Sequence, residues 1–190
     1  MSVKKYNLKR IVAATLLTVT FSIPLQVRAD SVPNPVPEML QQLKSADPVE
    51  AKRLADEIAL RWGHSGSPAI DLLLKRGIDA AGRGDFAEAI GHLTALTDHA
   101  PDFAEGWHQR ASTYYRMDRY GLAIHDLERA LHLNPSNFQA MYGVGTILEE
   151  LGKLELAHEA YTLALTVYPH YEEAQNAIAR LGSRVTGQEL

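Results

Sequence analysis

Apolar residues recur every three or four positions along most of the chain, a spacing typical of amphipathic helices that pack against a core. Between residues 103 and 135 this pattern predicts two helices, with a break near Met117–Arg119 and an end at Asn134-Pro135. Proline ends the second helix because the residue before a proline avoids the α region. The flanking segments show the same two-helix pattern, so the sequence predicts an all-α protein.

The helix pairs recur with a period of 34 residues. A fixed period between roughly 20 and 50 residues is the signature of a solenoid of stacked units. Alanines in a constant register indicate helices that cross closely, where a larger side chain would cost about 1–3 kcal/mol. The residues that keep the register are Pro101, Pro135 and Pro169; Ala89, Ala123 and Ala157; Phe86, Tyr120 and Leu154; and Leu96, Ala130 and Ala164.

Within each unit, large and small residues alternate in a fixed order. The middle unit supplies Trp107, Ala111 and Tyr114 on its first helix, then Tyr120, Ala123, Ala130 and a closing Pro135. This pattern resembles the tetratricopeptide repeat (TPR) family over residues 70–171. The resemblance implies an α-solenoid of about three TPR helix pairs, with N-terminal capping helices and a C-terminal solvating helix. The first unit departs from the pattern because it carries Leu96 in place of the last alanine.

The first residues have the composition of a secretory signal peptide. Basic residues from Lys4 to Arg10 precede a 13-residue apolar run, and Val27-Arg28-Ala29 places small residues where a signal peptidase cuts. The apolar run is shorter than the roughly 20 residues that a membrane-spanning helix needs. We therefore expect cleavage near Ala29-Asp30 and export to a bacterial periplasm, with an uncleaved anchor as the alternative.

The remaining boundaries follow from caps, prolines and glycines. Asp47-Pro48 and Ser67-Pro68 predict helix starts, since a polar cap followed by proline suits the first turn. Two N-terminal helices should shield the first face of the stack, with Trp62 buried against the first unit. The predicted segments are a signal peptide at 1–29, a proline-rich leader at 30–37, N-terminal capping helices at 38–67, TPR units at 68–101, 102–135 and 136–169, a C-terminal capping helix at 170–182 and a loose tail at 183–190.

A wider resemblance agrees with this organisation. Trp62 and the Ser-Gly-Ser-Pro run at residues 65–68 precede three repeat units. In this respect residues 38–190 resemble small exported TPR proteins of Gram-negative bacteria. The resemblance implies a role in the assembly or integrity of the cell envelope.

Charge and cysteine content narrow the functional classes. Residues 30–190 carry 14 Lys and Arg against 23 Asp and Glu, a formal net charge of −9, whereas the whole chain has −4. This balance disfavours nucleic acid and anionic lipid as partners, since both need clustered basic residues. The chain contains no cysteine, so it forms no disulfide and carries no lipid-modified cysteine.

Motifs for catalysis and for metal binding are missing from the sequence. Gly82-Arg83-Gly84 lacks the preceding strand that a nucleotide-binding loop would follow, and no nucleophile motif is present. The pairs His92/His99 and His125/His132 are seven residues apart, which places the two rings of a pair about 10 Å apart on a helix. We therefore predict a protein that is not an enzyme and that has no cofactor and no metal, with its histidines on the solvated surface.

Partner binding is the remaining class, and the resemblance supplies a candidate surface. In TPR proteins the first helix of each unit lines a concave groove. The matching positions in this chain are Asp71, Leu74 and Ile78; Glu105, His108, Ser112, Tyr115 and Arg116; Gln139, Tyr142, Thr146 and Glu149; and Glu173, Asn176 and Arg180 of the closing helix.

Tyr115 and Tyr142 are the most informative of these positions, because the packing pattern requires no aromatic residue at either. Tyrosine combines a large contact area with a polar tip, which is the usual profile of a binding hot spot. The alternative is that one or both fill a gap against a facing helix. TPR domains that clamp an acidic C-terminus use lysine and asparagine where this chain has Leu74 and Ile78, so that clamp is absent.

The expected function is a non-catalytic periplasmic adaptor or scaffold. It would hold an extended peptide or a partner's helix in the groove, with another periplasmic or envelope protein as partner. Two alternatives stay open. The first is a structural protein that associates with itself, for example as a homodimer, and the second is a carrier of a metal or small ligand. We expect no nucleic-acid partner and no stable membrane insertion of the exported chain.

Overall fold

The computed structural model describes the backbone of residues 34–188 and the side chains up to residue 182. The predicted signal peptide and residues 30–33 of the leader lie outside the described residues. Nine α-helices and no strands occur in the described part of the chain. They are α1 (Val36–Leu43), α2 (Pro48–Trp62), α3 (Pro68–Arg83), α4 (Phe86–His99), α5 (Ala104–Arg116), α6 (Tyr120–Leu133), α7 (Phe138–Glu150), α8 (Leu154–Val167) and α9 (Glu172–Gln188).

Three helix pairs, α3–α4, α5–α6 and α7–α8, follow one another, and α9 packs against α8. The all-α solenoid prediction is therefore confirmed. Successive first helices approach each other directly, α3 with α5 and α5 with α7, so these helices form the inner layer of the stack.

The turn inside each pair has the left-handed residue that ends a helix. Gly84 and Gly152 have φ of 82° and 71°, and Asp118 occupies the equivalent turn at φ 57°. In each turn the next N–H donates to a carbonyl five residues back, as Arg119 N does to Tyr114 O at 2.9 Å. Because Asp tolerates this conformation less well than glycine, the middle turn is the least favourable of the three.

Small residues mark the closest helix crossings. Ala89, Ala123 and Ala157 are completely buried, as the repeat pattern predicts. At Gly145, a Cβ atom would lie 2.5 Å from the ring of Tyr161, so α7 and α8 approach each other too closely for any larger residue.

The position of α1 and α2 differs from the sequence prediction. Their buried residues join the core of the third unit and α9, and no residue of either helix belongs to the clusters that bury Leu93 and Ala89 of the first unit. The expected packing of Trp62 on the first unit is wrong, because its ring lies 5.5 Å from that of Phe138 at the start of α7. An apolar stripe fixes which face of a helix is buried, and it leaves open which unit buries it.

Two helix ends and one helix cap also differ from the predictions. Helix α1 begins at Val36, inside the predicted leader, because prolines are tolerated in a first turn whose N–H groups have no helical partner. Helix α9 continues through Gly182 to Gln188, since a glycine inside a helix costs only about 1 kcal/mol. Asp47 caps α2 as predicted, whereas the side chain of Ser67 makes no capping hydrogen bond to α3.

None of the helices within residues 34–188 combines the length and the apolar character that crossing a lipid bilayer would require.

Candidate partner-binding site

The inner helices α5 and α7 enclose a cavity of about 300 Å³, which we call the tyrosine cavity. Tyr171, which precedes α9, completes its wall. The structure brings six of the predicted groove residues together around this cavity: His108, Ser112, Tyr115, Gln139, Tyr142 and Thr146. Residues four apart on a helix share a face, which is why positions 108, 112 and 115 of α5 point to one place.

The tyrosine rings of the cavity are held by other aromatic rings. Tyr142 lies between Tyr161 and Tyr171, with ring centroids 5.3 Å and 5.4 Å away. Tyr115 packs against Tyr120 at 5.9 Å. These are the distances of favourable aromatic pairs. The rings of Tyr142 and Tyr115 are therefore held in position before a ligand binds.

The polar side of the cavity is organised by a buried carboxylate. Glu105 is only 8% exposed, and its side chain accepts a hydrogen bond from Gln109 Nε2 at 2.6 Å. The same carboxylate lies 3.3 Å from Nδ1 of His108. Glu105 thereby fixes the orientation of the His108 ring at the cavity wall.

Burial changes the acidity of the phenol groups around the cavity. Desolvation raises the pKa of Tyr115, and the nearby carboxylates of Glu150, Asp118 and Glu149 add to this shift. Desolvation also raises the pKa of Tyr171, with a further contribution from Glu173. Both phenols remain neutral at physiological pH and can donate a hydrogen bond to a ligand.

A second, wider depression of about 540 Å³ lies at the first-unit end of the inner layer. The predicted residues Leu74, Ile78 and Glu105 line it, but so do Ala59 and Leu60 of α2. Helix α2 therefore forms one wall of this depression. The assignment of Leu74 to a binding surface needs correction, because its side chain is 5% exposed and packs in the core with Leu93 and Leu96.

The remaining predicted residues do not line the tyrosine cavity. The Arg116 guanidinium donates to Ala81 O at 2.7 Å and lies 4.8 Å from the centre of the Phe86 ring, so it ties α5 to the first unit. Arg180 forms an ion pair with Glu149 at 2.8 Å. Asn176 is exposed on α9.

Tyr171, Ala59 and Leu60 are among the site residues that the sequence analysis did not predict. Tyr171 stands 68 residues after Phe103 in the repeat register, so an aromatic residue at this position was a usable signal. The α2 residues gave no such signal, because their location depends on tertiary packing.

A buried ion pair holds α5 against its neighbours. Arg110 donates to Asp126 of α6 at 2.6 Å and 2.9 Å, and to Thr97 of α4 at 2.8 Å. Its guanidinium also lies 4.8 Å from the centre of the Trp107 ring. The helix that presents His108 to the cavity is thus anchored to both adjacent helices.

No group of three or more His, Asp or Glu side chains within the described residues could hold a metal ion. Each histidine whose ring lies near a carboxylate contacts one acidic residue, as His92 contacts Glu88 and His125 contacts Asp126.

This architecture defines a helical-repeat protein with a concave inner face. The family model described as tetratricopeptide repeat matches residues 108–172. A TPR repeat-containing protein of Rhizobium etli is 32% identical over 151 residues, which cover 79% of this chain and 74% of that protein. The chain belongs to the tetratricopeptide repeat family, whose members are generally non-catalytic modules for protein–protein interaction.

Solved structures agree with this assignment. The first TPR of Spaghetti (RPAP3) bound to the HSP90 peptide SRMEEVD is 28% identical, with a TM-score of 0.61 over 63% of this chain and 95% of that chain. The crystal structure of MamA has a TM-score of 0.59 over 77% of this chain and 83% of that chain, and at 23% identity it shows the fold alone. Human RNA polymerase II-associated protein 3 is 29% identical over 126 residues, but the chain spans only 19% of its length.

Proposed function

We propose that this chain is a non-catalytic periplasmic adaptor that binds a segment of another envelope protein at the tyrosine cavity. The observation that carries the proposal is the cavity itself. Aromatic walls, a few polar groups and a volume of about 300 Å³ are the features of a preformed recognition site. The structure related to this chain that contains the peptide SRMEEVD supports a peptide-like ligand.

The accessible part of the groove is short. Helix α2 lines pockets at both the first and the third unit, with Leu60 near Ile78 and Ala55 near Phe138. A partner segment therefore meets the part of the inner face that α2 leaves open, at the tyrosine cavity. A few residues of a partner, rather than a long extended peptide, would fill this space. The proposed adaptor therefore recognises one or two anchor side chains.

Periplasmic export is part of this proposal and rests on the N-terminal sequence. Lys4 to Arg10, the apolar run and the small residues near Ala29 support a cleaved signal peptide. A role in envelope assembly or integrity follows from the resemblance to small exported TPR proteins.

The test is a crosslinked pull-down of the exported protein from an envelope extract. Ser112→Trp would fill the cavity from an exposed position, because the serine side chain lies at the cavity wall without core contacts. Thr162→Trp places the same residue at an exposed site on α8 and serves as the control. A partner captured by the wild type and the control but lost with Ser112→Trp supports the proposal. Equal capture by all three proteins refutes the assigned site.

Self-association is a second candidate that one observation favours. Leu122, Leu156 and Leu163 on the second helices α6 and α8 are about half exposed. Exposed apolar residues that form a contiguous patch are typical of an interaction surface. Light scattering of residues 30–190 tests this candidate, because a dimer that survives dilution would support it and a monomer at all concentrations would exclude it.

A further inference from the structure

The tyrosine cavity has a charge environment that selects among possible ligands. None of its lining residues is lysine or arginine. The carboxylates of Glu150, Asp118 and Glu149 lie close enough to Tyr115 to act on its phenol group, and Glu173 acts in the same way on Tyr171. Because Glu149 is paired with Arg180, the acidic rim of the cavity consists of Glu150, Asp118 and Glu173.

The basic groups nearest to the cavity are already engaged elsewhere. Arg116 follows Tyr115 in sequence but binds Ala81 O and the face of Phe86. Arg180 is paired with Glu149, and His108 lies against the buried carboxylate of Glu105. Lys52 of α2 lines a neighbouring pocket with Tyr171 and Glu173, and its ammonium group lies 4.0 Å from the carboxylate of Asp56. No lysine or arginine lines the tyrosine cavity itself.

From these observations we infer that the cavity accepts a cationic side chain, arginine or lysine, from the partner segment. Cations are attracted to the faces of aromatic rings, and three tyrosines surround this space. The acidic rim adds a longer-range attraction and would repel an acidic peptide. This inference rests on the proposed function, since it names the chemistry of the segment that the adaptor binds.

This preference is opposite to that of the related structure in complex with SRMEEVD, a peptide whose last four residues include three acidic ones. In this chain the depression at the first-unit end of the inner face is lined by apolar Ile78 and by Leu74, whose side chain is largely buried. Leu60 of α2 also lines the same depression. The charge of the accessible inner face, rather than the fold, accounts for the predicted difference in ligand.

The inference can be tested with small probes, without knowledge of the natural partner. N-acetyl-arginine amide is titrated into residues 30–190 with ring-labelled tyrosines and followed by NMR. N-acetyl-citrulline amide has nearly the same shape without the charge. We expect saturable shifts at Tyr115, Tyr142 and Tyr171, and an affinity at least about fivefold higher for the arginine probe. Equal affinities, or arginine-induced shifts at tyrosines away from the cavity, would overturn the inference.

Two pairs of variants test the contributions of rings and charges. Tyr115→Leu should abolish the preference for the arginine probe, whereas Tyr115→Phe keeps the ring and should keep the preference. Glu150→Gln leaves the cavity wall intact and should weaken binding about twofold, while Glu155→Gln, a matched exposed residue on α8, should not. Equal behaviour of Glu150→Gln and Glu155→Gln would contradict the role of the acidic rim, even if Tyr115→Leu fails to fold.

The probe titration and the pull-down fail independently. Loss of the partner with Ser112→Trp, combined with no preference for arginine over citrulline, would keep the adaptor and refute the cationic ligand. A clear arginine preference without any captured partner would keep the cation site and refute the adaptor.

Discussion

Removal of Asp126 should be among the most damaging single substitutions in the stack. Its carboxylate is 2% exposed and accepts two hydrogen bonds from Arg110, whose own side chain is 12% exposed. Asp126→Ala leaves the guanidinium buried, with threonine hydroxyl groups as its remaining hydrogen-bond acceptors. Breaking a buried ion pair from one side costs about 3–5 kcal/mol, against a total stability of about 5–15 kcal/mol for a typical domain.

Thermal unfolding followed by circular dichroism measures this loss. For a domain of this size, about 3–5 kcal/mol corresponds to a fall in Tm of roughly 6–20 °C. The fluorescence of Trp107, which stacks on Arg110, gives a local signal of the same event. The control is Asp102→Ala, because Asp102 is 90% exposed and its 3.5 Å pair with Arg129 should contribute less than about 1 kcal/mol.

A double variant distinguishes the cost of an unpaired charge from the general cost of a core substitution. Arg110→Met together with Asp126→Leu removes both charges and keeps apolar volume, a change that is often neutral in buried pairs. We expect this protein to be more stable than Asp126→Ala. The reasoning is refuted if Asp126→Ala costs less than about 1 kcal/mol, or if the double variant loses the sum of the two single effects.

Three further predictions concern helix packing, pH and processing. Gly145→Ala should destabilise the protein by about 1–3 kcal/mol in urea unfolding, because the new Cβ atom would lie 2.5 Å from the ring of Tyr161. Gly91→Ala, which adds a Cβ atom in open space on α4, should stabilise the protein by about 0.5–1 kcal/mol in the same assay. Desolvation raises the pKa of Tyr161 to about 12, so the neutral phenol favours the folded state. This contribution to stability is complete below about pH 10 and should be lost as the pH rises toward 12, which melting curves at several pH values would measure. N-terminal sequencing of exported protein should begin at Asp30.

Each of these predictions has an outcome that contradicts it. Equal stability of the two glycine variants would show that the crossing of α7 and α8 is looser than described. A Tyr161→Phe protein that loses stability between pH 10 and 12 as the wild type does would assign the alkaline transition to other groups. A mature N-terminus that retains the apolar run would favour the membrane-anchored alternative.

The fold was predictable because its signals are local and repeated. Gly84 takes the left-handed conformation that ends a helix because it has no side chain. Ala123 allows two helices to cross closely because its side chain is small. The same register placed Tyr115 and Tyr142 on the inner face. These features depend on residues a few positions apart, which is the range over which sequence patterns are informative.

The arrangement of α1 and α2 was not predictable in the same way. The apolar residues Leu54 and Ile58 of α2 require burial, but several surfaces of the stack could provide it. Aromatic contacts of Trp62 with Phe138 bring the helix to the third unit. Arg116 illustrates the same limit at one residue, since its spacing predicts a groove position while its partners, Ala81 and Phe86, lie on the first unit.

Site-specific photocrosslinking in living cells tests the central claim most directly. A photoreactive phenylalanine analogue at Ser112 faces the tyrosine cavity, and the same analogue at Thr162 lies on the exposed surface of α8. The account predicts a discrete adduct with one envelope protein from position 112 and none from position 162. Adducts from position 162 alone, or no adduct at position 112 in a folded and exported protein, would contradict the assignment of the tyrosine cavity as the partner-binding site.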